Sequence, residues 1–155
     1  MSLFAENINV VGMERLPLAG FRPLLEESRA QGFEFLSRLW QEYRDGTNRF
    51  SQPGEALFGG YHNQQLIAIG GLNRDPYLDD GETGRVRHVY VLAGWRGRGV
   101  GKQLVQRIIN EAKLHYRRLT LRTMRAEASA FYRALGFQTE PAIAGATHHL
   151  VLDTT

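Results

Sequence analysis

Between Arg85 and Ala112 the chain reads RVRHVYVLAGWRGRGVGKQLVQRIINEA. A β-branched run, three alternate glycines and an apolar-periodic run follow one another without a gap. That order calls for a strand, a flexible loop and a helix in immediate succession. The strand is predicted over 85–92 and the helix from the glycine loop to about Tyr116. Val100, Leu104, Val105, Ile108, Ile109 and Ala112 recur at helical spacing and form its buried face, while Lys102, Gln106, Arg107, Asn110 and Glu111 form the wet one. Gly97, Gly99 and Gly101 lie where the first helical N–H groups lack a partner within the helix, and where the macrodipole leaves about half a positive charge. Arg96, Arg98 and Lys102 add full charges beside them. Such a junction is a ready site for an anion.

The rest of the chain supplies a mixed set of elements. Residues 7–12 alternate loosely as a first strand. Helices are predicted over 22–30 and 32–44, joined at Gly32, the second carrying Phe33, Leu36, Trp40 and Tyr43 as one apolar stripe. Residues 45–54 read as a loop, and strands over 55–61 and 65–72 as a hairpin joined at His62-Asn63-Gln64. A polar loop over 73–84 precedes the central strand. A strand over 118–123 and a helix over 126–135 follow, the helix stopped by Gly136 at a left-handed cap. Two weak strands are expected over 138–153, around a turn at Gly145. Together these predict an α+β domain with a central, mostly antiparallel sheet.

The length, 155 residues, fits one domain spanning 1–155. The chain has no cysteine, which removes disulfides, thiolate metal sites and cysteine nucleophiles. His148 and His149 are neighbours on the last strand and point to opposite faces, so no metal site is expected there. No apolar stretch approaches the ~20 residues of a membrane span, and the opening MSLFAENINVVGMERL lacks the form of a leader. The expectation is a soluble, cytoplasmic protein. A net charge of +3 permits anionic ligands without demanding them.

Two phosphate-binding motifs are excluded by position. A Walker-type loop needs glycine where Arg96 stands and Ser or Thr where Gln103 stands. The dinucleotide fingerprint that starts at Gly97 needs glycine at Lys102. The pattern present is Arg-x-x-Gly-x-Gly, with Arg96, Gly99 and Gly101. With the preceding VYVLAGW it resembles the acetyl-CoA loop of the GNAT superfamily of N-acetyltransferases. AFYRALGF, Ala130 to Phe137, is similar to that family's helix bearing a tyrosine near the thiol.

The resemblance implies a mixed sheet with helices on both faces, an α/β three-layer arrangement, and acetyl-CoA as co-substrate. Arg96, Gly97, Arg98, Gly99, Val100, Gly101 and Lys102 would hold the pyrophosphate, and the backbone of Val89, Tyr90 and Val91 would pair with the pantetheine as a short strand does. A backbone N–H near Val91 would face the thioester oxygen. Tyr132 would be the acid that protonates the leaving thiolate. Many relatives carry an acid or histidine on the central strand; Arg85 and Arg87 stand at those positions here. His88 points to the opposite face by strict alternation, unless a bulge re-aims it. No base is assigned. Arg125 replaces a frequent asparagine at the start of the tyrosine helix.

The implied partner is a small-molecule or peptide amine; the acceptor's identity and the oligomeric state, a homodimer included, stay open. Competing readings are a GNAT-like module that binds acyl-CoA without turnover, and an RNA-binding protein. Against RNA, Phe33, Trp40 and Tyr43 sit at core-like helical spacing and do not interleave with the arginines. Neither nucleic acid nor membrane is expected as a partner.

Overall fold

A computed structural model describes residues 7–152. Residues 1–6, part of the segment read above for a leader, and Asp153 lie outside it. The elements are β1 (Asn9–Gly12), α1 (Leu18–Ala30), α2 (Phe35–Asp45), β2 (Ala56–His62), β3 (Gln65–Arg74), β4 (Thr83–Val91), α3 (Val100–Ala112), β5 (Arg118–Leu121), α4 (Ala126–Ala134) and β6 (His148–Val151), with a 3-10 turn at Ala93–Trp95. The strands lie side by side in chain order. Every neighbouring pair is antiparallel except β4 and β5, which are parallel. A parallel step needs a crossover, and α3 supplies it.

Helices cover both faces, as the three-layer reading expects. Phe21, Leu24, Leu36 and Leu39 of α1 and α2 pack on Leu57, Leu66, Ile69 and Tyr90. On the other face Val100, Leu104, Val105, Ile108, Ile109 and Ala112 of α3 are all buried, on Phe58, Ile67, Leu72 and Val86. Tyr132 and Phe137 join that second cluster, which places α4 beside α3.

Several elements differ from the sequence reading: α3 ends at Ala112 and not near Tyr116, and β5 at Leu121 and not at 123. Helix α1 begins at Leu18 and continues through Pro23. Pro23 lies past the first turn, where it removes the hydrogen bond that would reach the Ala19 carbonyl. Residues 31–34 form the turn between the helices, where the Phe33 amide donates to the Ser28 carbonyl and Glu34 is the N-cap of α2; α2 starts at Phe35. Only one of the two expected C-terminal strands forms. The other is a lone bridge, Gln138 to His149, because the exposed stretch that follows contains Pro141, which cannot donate to a ladder. Gly136 takes the left-handed cap as expected, at φ 104°.

The sheet has one irregularity that matters for function. Ile69 pairs with Tyr90 and Gly71 with Arg87, so Gly70 alone stands opposite His88 and Val89. That is a β-bulge on β4, and His88 takes φ 62° to make it. A Cβ on Gly70 would lie 3.0 Å from Ile108 Cδ1, 3.2 Å from Leu104 Cδ2 and 3.2 Å from Val89 Cγ2. The bulge and α3 therefore close tightly on Gly70, so that a larger residue there must push the Ile108, Leu104 and Val89 side chains aside. Gly70→Ala is expected to destabilise the protein by about 1–3 kcal/mol through overpacking, and a thermal melt checks this. An unchanged melting temperature would show that the contact is slack.

Candidate active site

Strands β4 and β5 pair only from Thr83–Arg118 to Arg85–Thr120. Beyond Arg85 the two strands part, and α4 lies beside the opening. Two cavities fill it. One, of about 660 Å³, runs along Val89 to Val91, the glycine loop and α4. The other, of about 630 Å³, lies over Arg85 to Val89 and the chain after β5. Both are of ligand-binding size. They share Val89, Ala128, Tyr132, Arg125, Phe33 and Phe35, so they are two arms of one cleft.

The first arm ends at the N-terminus of α3. Gly99 is the N-cap, at φ 82°, and no side chain caps the helix. Gly97 has φ 76°. Among the described residues, no main-chain oxygen accepts from the amides of Gly97, Gly99, Val100, Gly101 or Lys102; the first turn closes with Gln103 donating to Gly99. A Cβ at Gly97 or Gly99 would meet nothing within 4 Å, so the space over the loop is open. Gly101 differs: its Cβ would stand 3.4 Å from Phe131 Cζ, where α3 meets α4. Lys102 is exposed and pairs with no carboxylate among the described residues. Free amides, a helix dipole and a cation suit a diphosphate, and the apolar walls beyond suit an extended arm. The residues present therefore fit coenzyme A.

Arg96 and Arg98 also engage their own chain. Arg96 Nε donates to the Val91 carbonyl at 2.9 Å, Nη2 donates to Gln31 at 3.2 Å and lies 3.9 Å from Glu27, and the guanidinium stacks 5.1 Å from the Tyr90 ring. Arg98 stacks 4.8 Å from the Trp95 ring. Glu27 is a node here. Its Oε1 accepts from the Tyr90 hydroxyl at 2.5 Å and from the Ala93 amide at 2.9 Å. Burial, with Glu27 second, pushes the Tyr90 phenol up to about 12. The loop that opens the cleft is thus tied to α1, a link between distant parts of the chain that no local pattern marks.

Tyr132 sits at the junction of the two arms. Its ring is buried among Phe131, Phe137 and His148, with centroids 5.0, 5.5 and 6.4 Å away. Burial raises its pKa, so the hydroxyl keeps its proton at neutral pH. Arg125, at the N-cap of α4, pairs with Glu127 at 2.9 Å and stacks 4.7 Å from Phe33. That contact spans the cleft. Phe33 and Phe35 line both arms, whereas the apolar stripe had placed Phe33 in the core.

The bulge decides what lines the second arm. Val86 packs on the α3 side, and Arg87 faces Glu42 of α2 at 4.0 Å. Strict alternation would return His88 to the α3 side. Instead its ring lies edge-on to Phe50, on the α2 side, 6.1 Å away. The bulge has re-aimed it beside Arg85 and Arg87. Burial first, then the Arg87 charge, push the imidazole down to about 3, so it is neutral in ordinary buffers.

Comparison with known proteins agrees with this geometry. The Acetyltransferase (GNAT) family matches residues 21–137. An acetyltransferase-like protein of known structure from Exiguobacterium sp. 255-15 is 33% identical, with TM-score 0.81 over 94% of this chain and 93% of that one. An acetyltransferase from Streptococcus agalactiae 2603 shares the fold at 15% identity and TM-score 0.72, covering 96% of this chain and 100% of that one. A GNAT-family N-acetyltransferase from Escherichia coli, solved in complex with CoA, shares it at 17% identity and TM-score 0.69, over 96% and 83%. No curated protein matches significantly. The chain belongs to the GNAT family of acetyltransferases. Among the described residues no helix is long and apolar enough to cross a membrane.

The buried imidazole has a consequence for stability. Its folded pKa, about 3, is below its ordinary value of 6.5, so between these values the unfolded chain binds the extra proton. Stability from this group is complete above pH 6.5 and is lost as pH falls towards 3. From pH 7 to 4.5 the wild type should lose roughly 2–3 kcal/mol more than His88→Gln in urea unfolding. Parallel pH profiles would contradict a neutral buried imidazole.

Proposed function

We propose that the protein transfers an acetyl group from acetyl-CoA to the amine of a small molecule or peptide. The observation that carries this is the pairing of open α3 amides with an apolar arm that ends at Tyr132. The amides of Gly97 to Lys102 and the Lys102 ammonium bind the diphosphate, and the edge of β4 at Val89 to Val91, which β5 does not pair and whose Val91 carbonyl accepts from Arg96 Nε, receives the pantetheine. Acetyl-CoA supplies an activated thioester. The acceptor amine enters from the Arg85–His88 arm, its nitrogen bonds to the carbonyl carbon, and the carbon–sulfur bond breaks. The amine gives up one proton to solvent, the Tyr132 hydroxyl gives one to the thiolate, and solvent returns a proton to the tyrosinate. The E. coli relative solved with CoA supports the nature of the ligand.

A second reading, a module that binds acyl-CoA without turnover, draws on the absence of an acidic side chain at the cleft-facing positions of β4, where Arg85, Arg87 and His88 stand. One experiment separates the two. Acetyl-CoA is expected to raise the melting temperature of the wild type and of Tyr132→Phe, and to leave that of Gly99→Glu unchanged, since the carboxylate would repel a diphosphate from a left-handed N-cap. In a thiol-release assay Tyr132→Phe should lose ~10²–10⁴-fold in kcat if it is the acid. No thermal shift with saturating acetyl-CoA would reject the reading; binding with no thiol release from any amine would favour the module.

A further inference from the structure

The acceptor arm is lined by Arg38, Arg85, Arg87, Arg122 and Arg125, and no aspartate or glutamate lines it. Carboxylates reach three of these from outside the arm. Glu42 lies 4.0 Å from Arg87, Glu127 pairs with Arg125, and Asp75 lies 3.5 Å from Arg85. Arg38 and Arg122 meet no carboxylate among the described residues.

Arg85 is the most telling of the five. It is only 7% exposed, yet its guanidinium makes no hydrogen bond among the described residues; its buried Nη1 has only the ion-pair contact with Asp75 Oδ2, at 3.5 Å. Asp75, fully buried behind it, is already engaged. Its Oδ1 accepts from the amides of Tyr77 and Leu78, and its Oδ2 from the Thr120 hydroxyl. The Tyr77 ring, 4.9 Å from the guanidinium, holds Arg85 in place. Arg87 is strained electrostatically as well: burial, opposed by Glu42, and the charges of Arg85 and Arg38 push its pKa down. A guanidinium with donors left over beside an arginine-rich cavity suits a planar anion, which can accept two of its bonds at a time.

We infer that the acceptor is an amine carrying an anionic group, a carboxylate or a phosphate, which Arg85 and Arg87 grip while the amine faces Tyr132. This rests on the assignment of the two arms made above. It disfavours polyamines and other wholly cationic acceptors, because the arm repels them. The neutral His88 adds no charge and leaves the two guanidinium groups to set the sign.

The test uses matched acceptors with acetyl-CoA: free amino acids against their amides, and aminoalkyl phosphates against the corresponding amino alcohols. The anionic member of at least one series should exceed its neutral partner in kcat/KM by ~10-fold or more, and the better series tells carboxylate from phosphate. Arg87→Gln should raise KM for that anionic acceptor ~10–100-fold, cut the preference for the anionic over the neutral acceptor by ~10-fold or more, and leave the acetyl-CoA thermal shift intact. Equal or better turnover of neutral amines or polyamines would overturn the proposal, as would an Arg87→Gln loss of equal size for charged and neutral acceptors. Binding is a second readout: calorimetry on the CoA-saturated protein with N-acetyl amino acids against their amides, and N-acetyl aminoalkyl phosphates against the N-acetyl alcohols. If no anionic compound is turned over or bound while acetyl-CoA still shifts the melting temperature, this proposal fails and the cofactor assignment survives. If acetyl-CoA itself does not bind, the assignment of the arms fails first.

Discussion

A sheet strand that loses its neighbour halfway along must find other partners for its backbone. Strand β4 is paired with β3 along its length but with β5 only as far as Arg85. Past that point one edge of a central strand faces a cavity with apolar walls. Polar backbone groups in such a place are costly unless water or a ligand meets them. The same cavity runs to a helix start whose amides are equally unmet. The parting of β4 from β5 creates the cleft, exposes the edge and aligns it with the loop; the rest of the architecture holds that opening in place.

Two devices hold it. On one face, the β4 bulge opposite Gly70 closes against Leu104 and Ile108 of α3, fixing the strand relative to the helix whose N-terminus matters. On the other, Glu27 of α1 gathers the Tyr90 hydroxyl and the Ala93 amide, with Arg96 beside them. The loop between strand and glycines is thereby anchored to the first helical layer. Arg96 consequently acts within the chain at least as much as toward a ligand. Its neighbour Gly97 stays unobstructed, which fits a division of labour in which arginines shape the loop and bare amides meet the anion.

The sequence made the local parts legible and the non-local parts obscure. The α3 face, the glycine loop and the left-handed end of α4 depend on residues within a turn or two of one another, and each formed where spacing and glycine placement pointed. The orientation of His88 depends on Gly70, eighteen positions away on another strand, so periodicity along β4 alone could not settle it. Phe33 matched the α2 stripe at helical spacing, but the chain turns through Gly32 first, and the ring ends in the cleft under Arg125. The lack of hydrogen bonds on Arg85 was also invisible, because it depends on Asp75 accepting from Thr120 and two loop amides and meeting the guanidinium only at ion-pair distance.

The proposed cofactor site depends on the main-chain nitrogens at the start of α3 that no described main-chain oxygen meets. The most direct measurement is an amide NMR titration of the isotope-labelled protein with coenzyme A. The largest shift changes should fall on Gly97 to Lys102 and on Val89 to Val91, with Leu104 to Ala112 of the same helix little moved. Changes centred elsewhere, or none at saturating ligand, would contradict it.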